Sequence, residues 1–203
     1  MEIITDCKQG DPEWFKHRLG SIGGSSISSV VAGGKGKMRN NLMYRLAGEI
    51  LSGVNYEGYS NAHMDRGLEQ EDDSLNVYSA VTGNEIYKPA LVIATKYTHY
   101  SPDSLCDPDG VVECKAAIPS IHIERIITDK IEGNYYKQIQ WGLYICERKW
   151  CDFVSYSPTV SVKPIWIKRY FRDHVTIKEL SEGADKFLLE MATIIRTIKE
   201  GVA

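Results

Sequence analysis

Residues 101–115 read Ser-Pro-Asp-Ser-Leu-Cys-Asp-Pro-Asp-Gly-Val-Val-Glu-Cys-Lys, and their pattern decides how the rest of the chain is organised. Asp107-Pro108-Asp109-Gly110 is a tight-turn sequence: proline presets φ, aspartate bonds its own backbone, and glycine accepts conformations closed to other residues. It joins a strand expected over Tyr97–Ser101, which delivers Asp103 at its end, to a strand over Val111–Lys115. Alternate residues of a strand share a face, so Glu113 and Lys115 point the same way and Cys114 the opposite way. The turn brings Asp103 beside Glu113. Two carboxylates so placed repel unless a cation lies between them, and their hard oxygens favour Mg²⁺, with Mn²⁺ as a substitute. On this reading one or two ions held by Asp103 and Glu113 polarise a scissile phosphate and acidify a bound water. Lys115 then orients or deprotonates that water and offsets charge on phosphorus, which is metal-assisted phosphodiester hydrolysis. The same pattern also fits an exposed hairpin carrying a cross-strand Glu–Lys pair.

Outward from this segment the chain alternates between helical and β patterns. Short β-rich runs around Ile86 and over Leu91–Ala94 extend the strand region into a meander spanning Glu85–Ala117. Upstream, Asp11-Pro12-Glu13 reads as an N-cap, a first-turn proline and an acidic first turn, opening a helix to about Leu19 that Gly20 breaks. A Gly-rich turn then enters a short helix near Ser25, followed by a mobile loop over Gly33–Lys37. Leu42, Leu46, Glu49 and Ile50 mark a helix closing at Gly53, and Met64, Leu68, Leu75 and Tyr78 stripe a longer one over Asn61–Thr82. Glu71 falls on that apolar stripe, where a carboxylate needs a partner such as a salt bridge to Arg66. Downstream, helices are expected over Ser120–Lys130 and Asn134–Glu147, strands over Trp150–Tyr156 and Val162–Ile167, and a closing helix over Ile177–Ile198. The expected architecture is α/β, one domain over residues 1–203 with a central mixed β-sheet flanked by helices.

Composition narrows the class without choosing the function. With 43% hydrophobic and 25% charged residues in a 203-residue chain, a single globular core is expected. Twenty-four basic against twenty-seven acidic residues remove overall basicity as an argument for a polyanionic partner, yet a nuclease can confine its basic residues to one groove. No apolar run is long enough to span a bilayer, and the first residues lack the order of a signal peptide, so no membrane role is expected. Five cysteines, an odd number with no CxxC pair, suit reduced thiols in a cytoplasmic protein. The five histidines show no shared spacing and none is assigned a role.

Four ordered motifs carry a resemblance: Gln9-Gly10-Asp11-x-x-Trp14-x-x-x-Arg18-Leu19-Gly20-x-Ile22, Arg66-Gly67-x-x-x-Glu71, Ser101-Pro102-Asp103 with Glu113-x-Lys115, and Gln138-Ile139-Gln140. They resemble the phage lambda exonuclease and YqaJ-type viral recombinase family of the PD-(D/E)xK nuclease superfamily, over about residues 8–160. The resemblance implies a restriction-endonuclease-like core, Asp103 and Glu113 as metal ligands, the carbonyl of Cys114 as a further ligand, and Lys115 as the catalytic lysine. It implies that Glu71 is the helical glutamate near the metal, that Gln138 is the active-site glutamine, and that Arg18 and Ser25, with Ser101 as a third member, hold the 5′-phosphate of a DNA end. Backbone N–H groups of Gly23, Gly24 and Ser25 suit an anion as well. Tyr135 lies one turn before Gln138 on the same helical face, placed to stack on a DNA end or to pack in the core, whereas Gln140 points elsewhere.

The implied activity is a Mg²⁺-dependent 5′→3′ exonuclease on linear double-stranded DNA, leaving 3′ overhangs for phage-type recombination. The resemblance further implies a ring-shaped homotrimer, a single-strand annealing protein as partner, and a phage or prophage product working in a bacterial host cell. A PD-(D/E)xK endonuclease of restriction or repair type, and a catalytically silent DNA-end-binding module, are the alternatives. Two departures stand out. The best-known family member has an acid about ten positions before the Ser-Pro-Asp, where this chain reads Leu91-Val92-Ile93-Ala94-Thr95, and the glycine that often follows the motif aspartate is Ser104.

Overall fold

The hairpin around Asp109 forms, but its first strand is not the one the sequence suggests. The computed structural model describes residues 1–32, 36–55, 62–106 and 108–201, with no side chain described for 62–69. In chain order the elements are β1 (Glu2–Ile4), α1 (Pro12–His17), a 3-10 turn (Gly24–Ser26) running into α2 (Ile27–Val30), α3 (Lys37–Ser52), α4 (Ala62–Thr82), β2 (Ile86–Tyr87), β3 (Leu91–Thr95), β4 (Thr98–Tyr100), β5 (Ser104–Cys106) and β6 (Gly110–Ala116). There follow α5 (Pro119–Thr128), α6 (Gly133–Ile145), β7 (Trp150–Tyr156), β8 (Ile165–Phe171) and α7 (His174–Glu200). Of the loop expected over Gly33–Lys37, residues 33–35 lie outside the described ones, and Lys37 already opens α3.

The strand that precedes Ser101 belongs elsewhere. β4 ends at Tyr100 and pairs with β3 in a three-stranded antiparallel sheet ordered β1-β3-β4. The partner of β6 is β5, a strand too short to show an alternating pattern. Ser104 faces Val112 and Leu105 faces Val111, so the same register carried one step further sets Asp103 opposite Glu113. β5 and β6 sit within a mixed five-stranded sheet ordered β2-β5-β6-β7-β8, in which β6 and β7 are parallel and the other neighbours antiparallel. A parallel step needs a crossover, which α5 and α6 provide.

Both faces of this sheet are covered, which is why Val111-Val112 and Phe153-Val154 read as unbroken apolar pairs rather than as alternation. Val111 and Phe153 pack with Trp141 and Leu143 of α6 and Phe187 of α7. Val112, Cys114 and Val154 pack on Leu75 and Tyr78 of α4. Tyr78 ties α4 to the sheet: the buried Asp152 accepts from Tyr78 Oη at 2.7 Å and also from the exposed Arg169, through Nε and Nη2 at 2.8 Å each. The cysteines are free thiols used as packing groups, and burial pushes Cys146 up to about 12.

Two boundaries moved and one expected cap is missing, each for an identifiable reason. β8 starts at Ile165, not Val162, because Val160–Lys163 form a turn in which Val162 is 95% exposed. α7 starts at His174, capped by Asp173, whose Oδ1 accepts from Val175 N at 3.0 Å and Thr176 N at 3.3 Å. Asp11 precedes α1 but caps nothing, its Oδ2 accepting instead from Lys8 N at 2.8 Å. Among the described residues no helix is long and apolar enough to cross a membrane.

Gly20 shows why the Arg18-Leu19-Gly20 run ends as it does. Its φ is +65°, its N–H donates to the fully buried Glu49 Oε2 at 3.0 Å, and a Cβ there would lie 2.2 Å from Ile50 Cγ1. Arg45 Nη1 holds the other Glu49 oxygen at 2.8 Å. Gly20→Ala adds left-handed strain to overpacking and is expected to destabilise the fold by about 2–4 kcal/mol. Thermal melting should show a fall of roughly 5–15 °C.

Candidate active site

Glu113 is 1% exposed and Asp103 8%, so the Glu113–Lys115 pair is no surface decoration. Glu113 lies on the α6 side of β6 and is gripped at both oxygens. Oε1 accepts from Lys115 Nζ and from Gln138 Nε2, each at 2.5 Å, and Oε2 accepts from Tyr100 Oη at 2.5 Å. Asp103 Oδ2 accepts from the Cys114 backbone N–H at 2.6 Å. The N–H and C=O of one strand residue leave along the same edge, so the Cys114 carbonyl also leaves toward the edge that Asp103 occupies.

The electrostatics record an imbalance. Burial, then the neighbouring Glu113 and Glu71 carboxylates, push the Asp103 carboxyl well above the usual range, against the pull of Lys115 and the Cys114 N–H. Burial alone would lower Lys115, but Glu113 and Asp103 outweigh it and hold the ammonium charged more firmly than an ordinary lysine. In this arrangement the lysine is held as an ammonium beside Glu113. Burial and Glu113 likewise keep the Tyr100 phenol protonated.

Glu71 closes the third side. Its buried Oε1 is ion-paired with Lys88 Nζ at 2.8 Å, and the same ammonium also bonds Asp72 Oδ1 at 2.9 Å. Lys88, on the loop after β2, is the observed partner; the Arg66 side chain lies outside the described residues. Among the described residues no three His, Cys, Asp or Glu side chains converge as a ready metal cluster. The donors on hand are two buried carboxylates and one carbonyl, hard oxygens of the kind that could hold a small divalent cation.

α6 supplies the far wall. Gln138 reaches Glu113, and Gln140 faces away as expected, clipping α7 in place through Phe171 O at 2.9 Å and Asp173 N at 2.8 Å. Tyr135 is half-buried, its ring centre 5.7 Å from Lys115 Nζ, 5.4 Å from Arg125 Cζ and 5.7 Å from the Phe153 ring. It thus both packs in the core and lines the lysine.

Arg18 is built in rather than solvated. Its guanidinium stacks 3.8 Å over Trp14, and its Nε donates to His99 Nε2 at 3.1 Å. Because arginine only donates, the His99 proton sits on Nδ1, facing Ser21 Oγ at 2.6 Å. Burial, with the Arg18 charge, holds His99 well below its usual pKa and therefore neutral. A Cβ on Gly23 would lie 2.6 Å from His99 Nε2, and one on Gly24 2.4 Å from Tyr100 Cε2. These close approaches seat the loop that carries the exposed Ser25 against the strand leading into Ser101, whose Oγ is buried with no hydrogen-bond partner. Gln9 Nε2 donates to Pro102 O at 2.9 Å and Trp14 Nε1 to Ala90 O at 3.0 Å, which accounts for two further residues of the first motif. His99, Tyr100 and Lys88 went unassigned from sequence; the glycine pair at 23–24, needed to admit two bulky neighbours, is the one trace of the first two.

The model of the YqaJ-like viral recombinase domain matches residues 13–149. No curated protein matches the chain. The alkaline exonuclease LHK-Exo from Laribacter hongkongensis superposes with a TM-score of 0.87 at 31% identity, covering 94% of this chain and 97% of that one. Its complex with dAMP gives 0.87 at 32% identity over the same shares. A phage-related exonuclease from Haemophilus somnus 129PT shares the fold, with a TM-score of 0.68 at 14% identity over 88% of this chain and 96% of that one.

An acid whose pKa rises on folding binds its proton more tightly in the folded state, so folding is favoured as pH falls toward the ordinary carboxylate range and loses that support as pH rises through the raised value. Without divalent ions, ionising Asp103 in the folded protein therefore costs stability. Asp103→Asn, which keeps an acceptor for the Cys114 N–H, is expected to melt above the native protein in EDTA. Added Mg²⁺ should raise the melting temperature of the native protein and leave that of the variant unmoved.

Proposed function

The chain belongs to the YqaJ-like viral recombinase family and is a deoxyribonuclease, and from that premise we propose that it is a Mg²⁺-dependent 5′→3′ exonuclease acting on the ends of linear double-stranded DNA. The observation that carries the reading is the burial of Asp103 and Glu113 together with Lys115, close to a loop that presents Arg18. The likeness to an alkaline exonuclease, one of whose structures holds dAMP, a mononucleotide of the size such an enzyme releases, supports it.

Asp103, Glu113 and the Cys114 carbonyl would hold Mg²⁺, which supplies Lewis-acid charge to the scissile phosphate. The remaining steps fall to the chain's own groups. Lys115, as an ammonium, faces the phosphate and offsets the charge that grows on its oxygens. Gln138 contributes an amide that orients an oxygen without altering the charge balance, and Glu71 adds a negative wall that favours the cation. Tyr135 offers a ring to the terminal base or sugar. Arg18, Ser25 and Ser101 receive the 5′-phosphate: a guanidinium matches phosphate in two-point contact, and the unbonded Ser101 hydroxyl is a donor in waiting. A terminal pocket at a set distance from the carboxylates measures one nucleotide from the 5′ end, which gives the polarity. A homotrimeric ring around the duplex, a single-strand annealing partner and a phage or prophage origin complete the proposal by family resemblance.

The test is digestion of a linear duplex labelled at the 5′ or the 3′ end, with and without Mg²⁺, beside a covalently closed circle. Loss from 5′ ends that needs Mg²⁺ and spares the circle is expected; cutting of the circle points to an endonuclease instead. Lys115→Ala and Glu113→Ala should each lower the rate by about a hundredfold or more with the fold intact. Arg18→Ala should erase the preference for a 5′-phosphorylated over a 5′-hydroxyl end, and an unchanged preference removes Arg18 from the pocket.

A further inference from the structure

We propose that Tyr100 is a positioning residue for the cation site: its hydroxyl fixes the orientation of the Glu113 carboxylate, and its ring ties that carboxylate to the loop bearing Ser25. The inference rests on the reading of Glu113 as a metal ligand. Three groups hold Glu113, and two of them, Lys115 and Gln138, are long flexible side chains that share Oε1. Among the described residues, Oε2 takes its hydrogen bond from Tyr100, at 2.5 Å. With both oxygens engaged, the carboxylate plane cannot turn without breaking a bond.

The ring itself is clamped. Tyr100 is 1% exposed, and it fills the space of two missing side chains: a Cβ on Gly24 would lie 2.4 Å from its Cε2, and one on Gly142 2.5 Å from its Cζ, the atom that bears the hydroxyl. Gly142 sits inside α6, where glycine is about 1 kcal/mol less favourable than alanine. The contact with Tyr100 gives that glycine a reason. Tyr100 also comes from β4, in the three-stranded sheet, whereas Glu113 belongs to the five-stranded one. The hydroxyl therefore bridges two sheets at the metal-ligand carboxylate. Phenylalanine would fill the same space with no polar atom to satisfy, so the hydroxyl answers to Glu113 and not to packing. Groups that orient a ligand carboxylate commonly tune metal affinity tenfold or more.

Tyr100→Phe keeps the ring between Gly24 and Gly142 and removes only the donor. Calorimetric titration of the DNA-free protein with Mn²⁺ should show binding weakened about tenfold. The Mg²⁺ concentration for half-maximal digestion of a linear duplex should rise in proportion, with a much smaller change in rate at saturating Mg²⁺ and a melting temperature in EDTA close to that of the native protein. Gly142→Ala, which pushes the ring at Cζ while leaving the hydroxyl in place, should reproduce the metal defect. Unchanged Mn²⁺ affinity and Mg²⁺ dependence in Tyr100→Phe, beside lost Mn²⁺ binding in Glu113→Ala, overturn the role of Tyr100 and leave Glu113 a ligand. Native Mn²⁺ binding in Glu113→Ala overturns the ligand reading and the role of Tyr100 together. A lowered melting temperature with both metal readouts unmoved marks a merely structural tie and also overturns the proposal.

Discussion

Two carboxylates of like charge, buried side by side where β5 meets β6, are the constraint on which the rest of the molecule turns. A short hairpin left to itself would splay to relieve them. What prevents this is donor density: a backbone N–H on Asp103, and an ammonium, an amide and a phenol on Glu113. Those four donors come from β6, α6 and β4, so each of these elements must be held to a fraction of an ångström. The packing does this from outside. α6 is wedged between the two sheets, with Trp141 Nε1 donating to His99 O at 3.2 Å on one side and Leu143 in the sheet core on the other. α4 is locked by the Asp152 network, which is what keeps Glu71 near the cluster.

Consecutive residues of β4 divide the work between the two halves of the site. His99 and Tyr100 are both buried, and each sits against one glycine of the Gly23-Gly24 pair. His99 accepts from Arg18, and Tyr100 donates to the Glu113 carboxylate. Neither group can be moved independently of the loop, because the loop backbone lies directly against both. On the proposed reading, recognition of a DNA end and placement of a metal ligand thus share one three-residue strand.

Glu113-x-Lys115 was legible because strand periodicity is local: two residues apart means one face, whatever the tertiary structure. Glu71 was legible because a charge on an apolar stripe breaks a pattern, though its partner Lys88 was not, since nothing in sequence links a helix to a loop seventeen residues on. The Gly20 stop and the Gly53 cap follow from conformational preference alone, and both show the positive φ that glycine permits. The hairpin was half legible. Its turn and second strand were read correctly, but the run before Ser101 was taken for the first strand, because β5 is three residues long and β4 has the stronger β-forming composition. His99 and Tyr100 were illegible for a related reason: their roles depend on which sheet β4 joins, and that is a long-range choice. The strand expected over Val162–Ile167 forms, but its start was misplaced because valines in a turn carry the same propensity as valines in a strand.

The absent acid before the Ser-Pro-Asp is a structural commitment and not a simple loss. Leu91 and Val92 are fully buried, packed into two different clusters, and Ile93 lies opposite both Glu2 and His99 in the register of the small sheet. A carboxylate at either of the first two positions would be buried without a donor, at several kcal/mol. In this chain the stretch is used to hold β4, and β4 in turn holds His99 and Tyr100. The described cluster therefore carries Asp103 and Glu113, with Glu71 paired to Lys88. On the proposed reading, affinity for a divalent ion depends on how rigidly Asp103 and Glu113 are aimed, which is where the donors around Glu113 act.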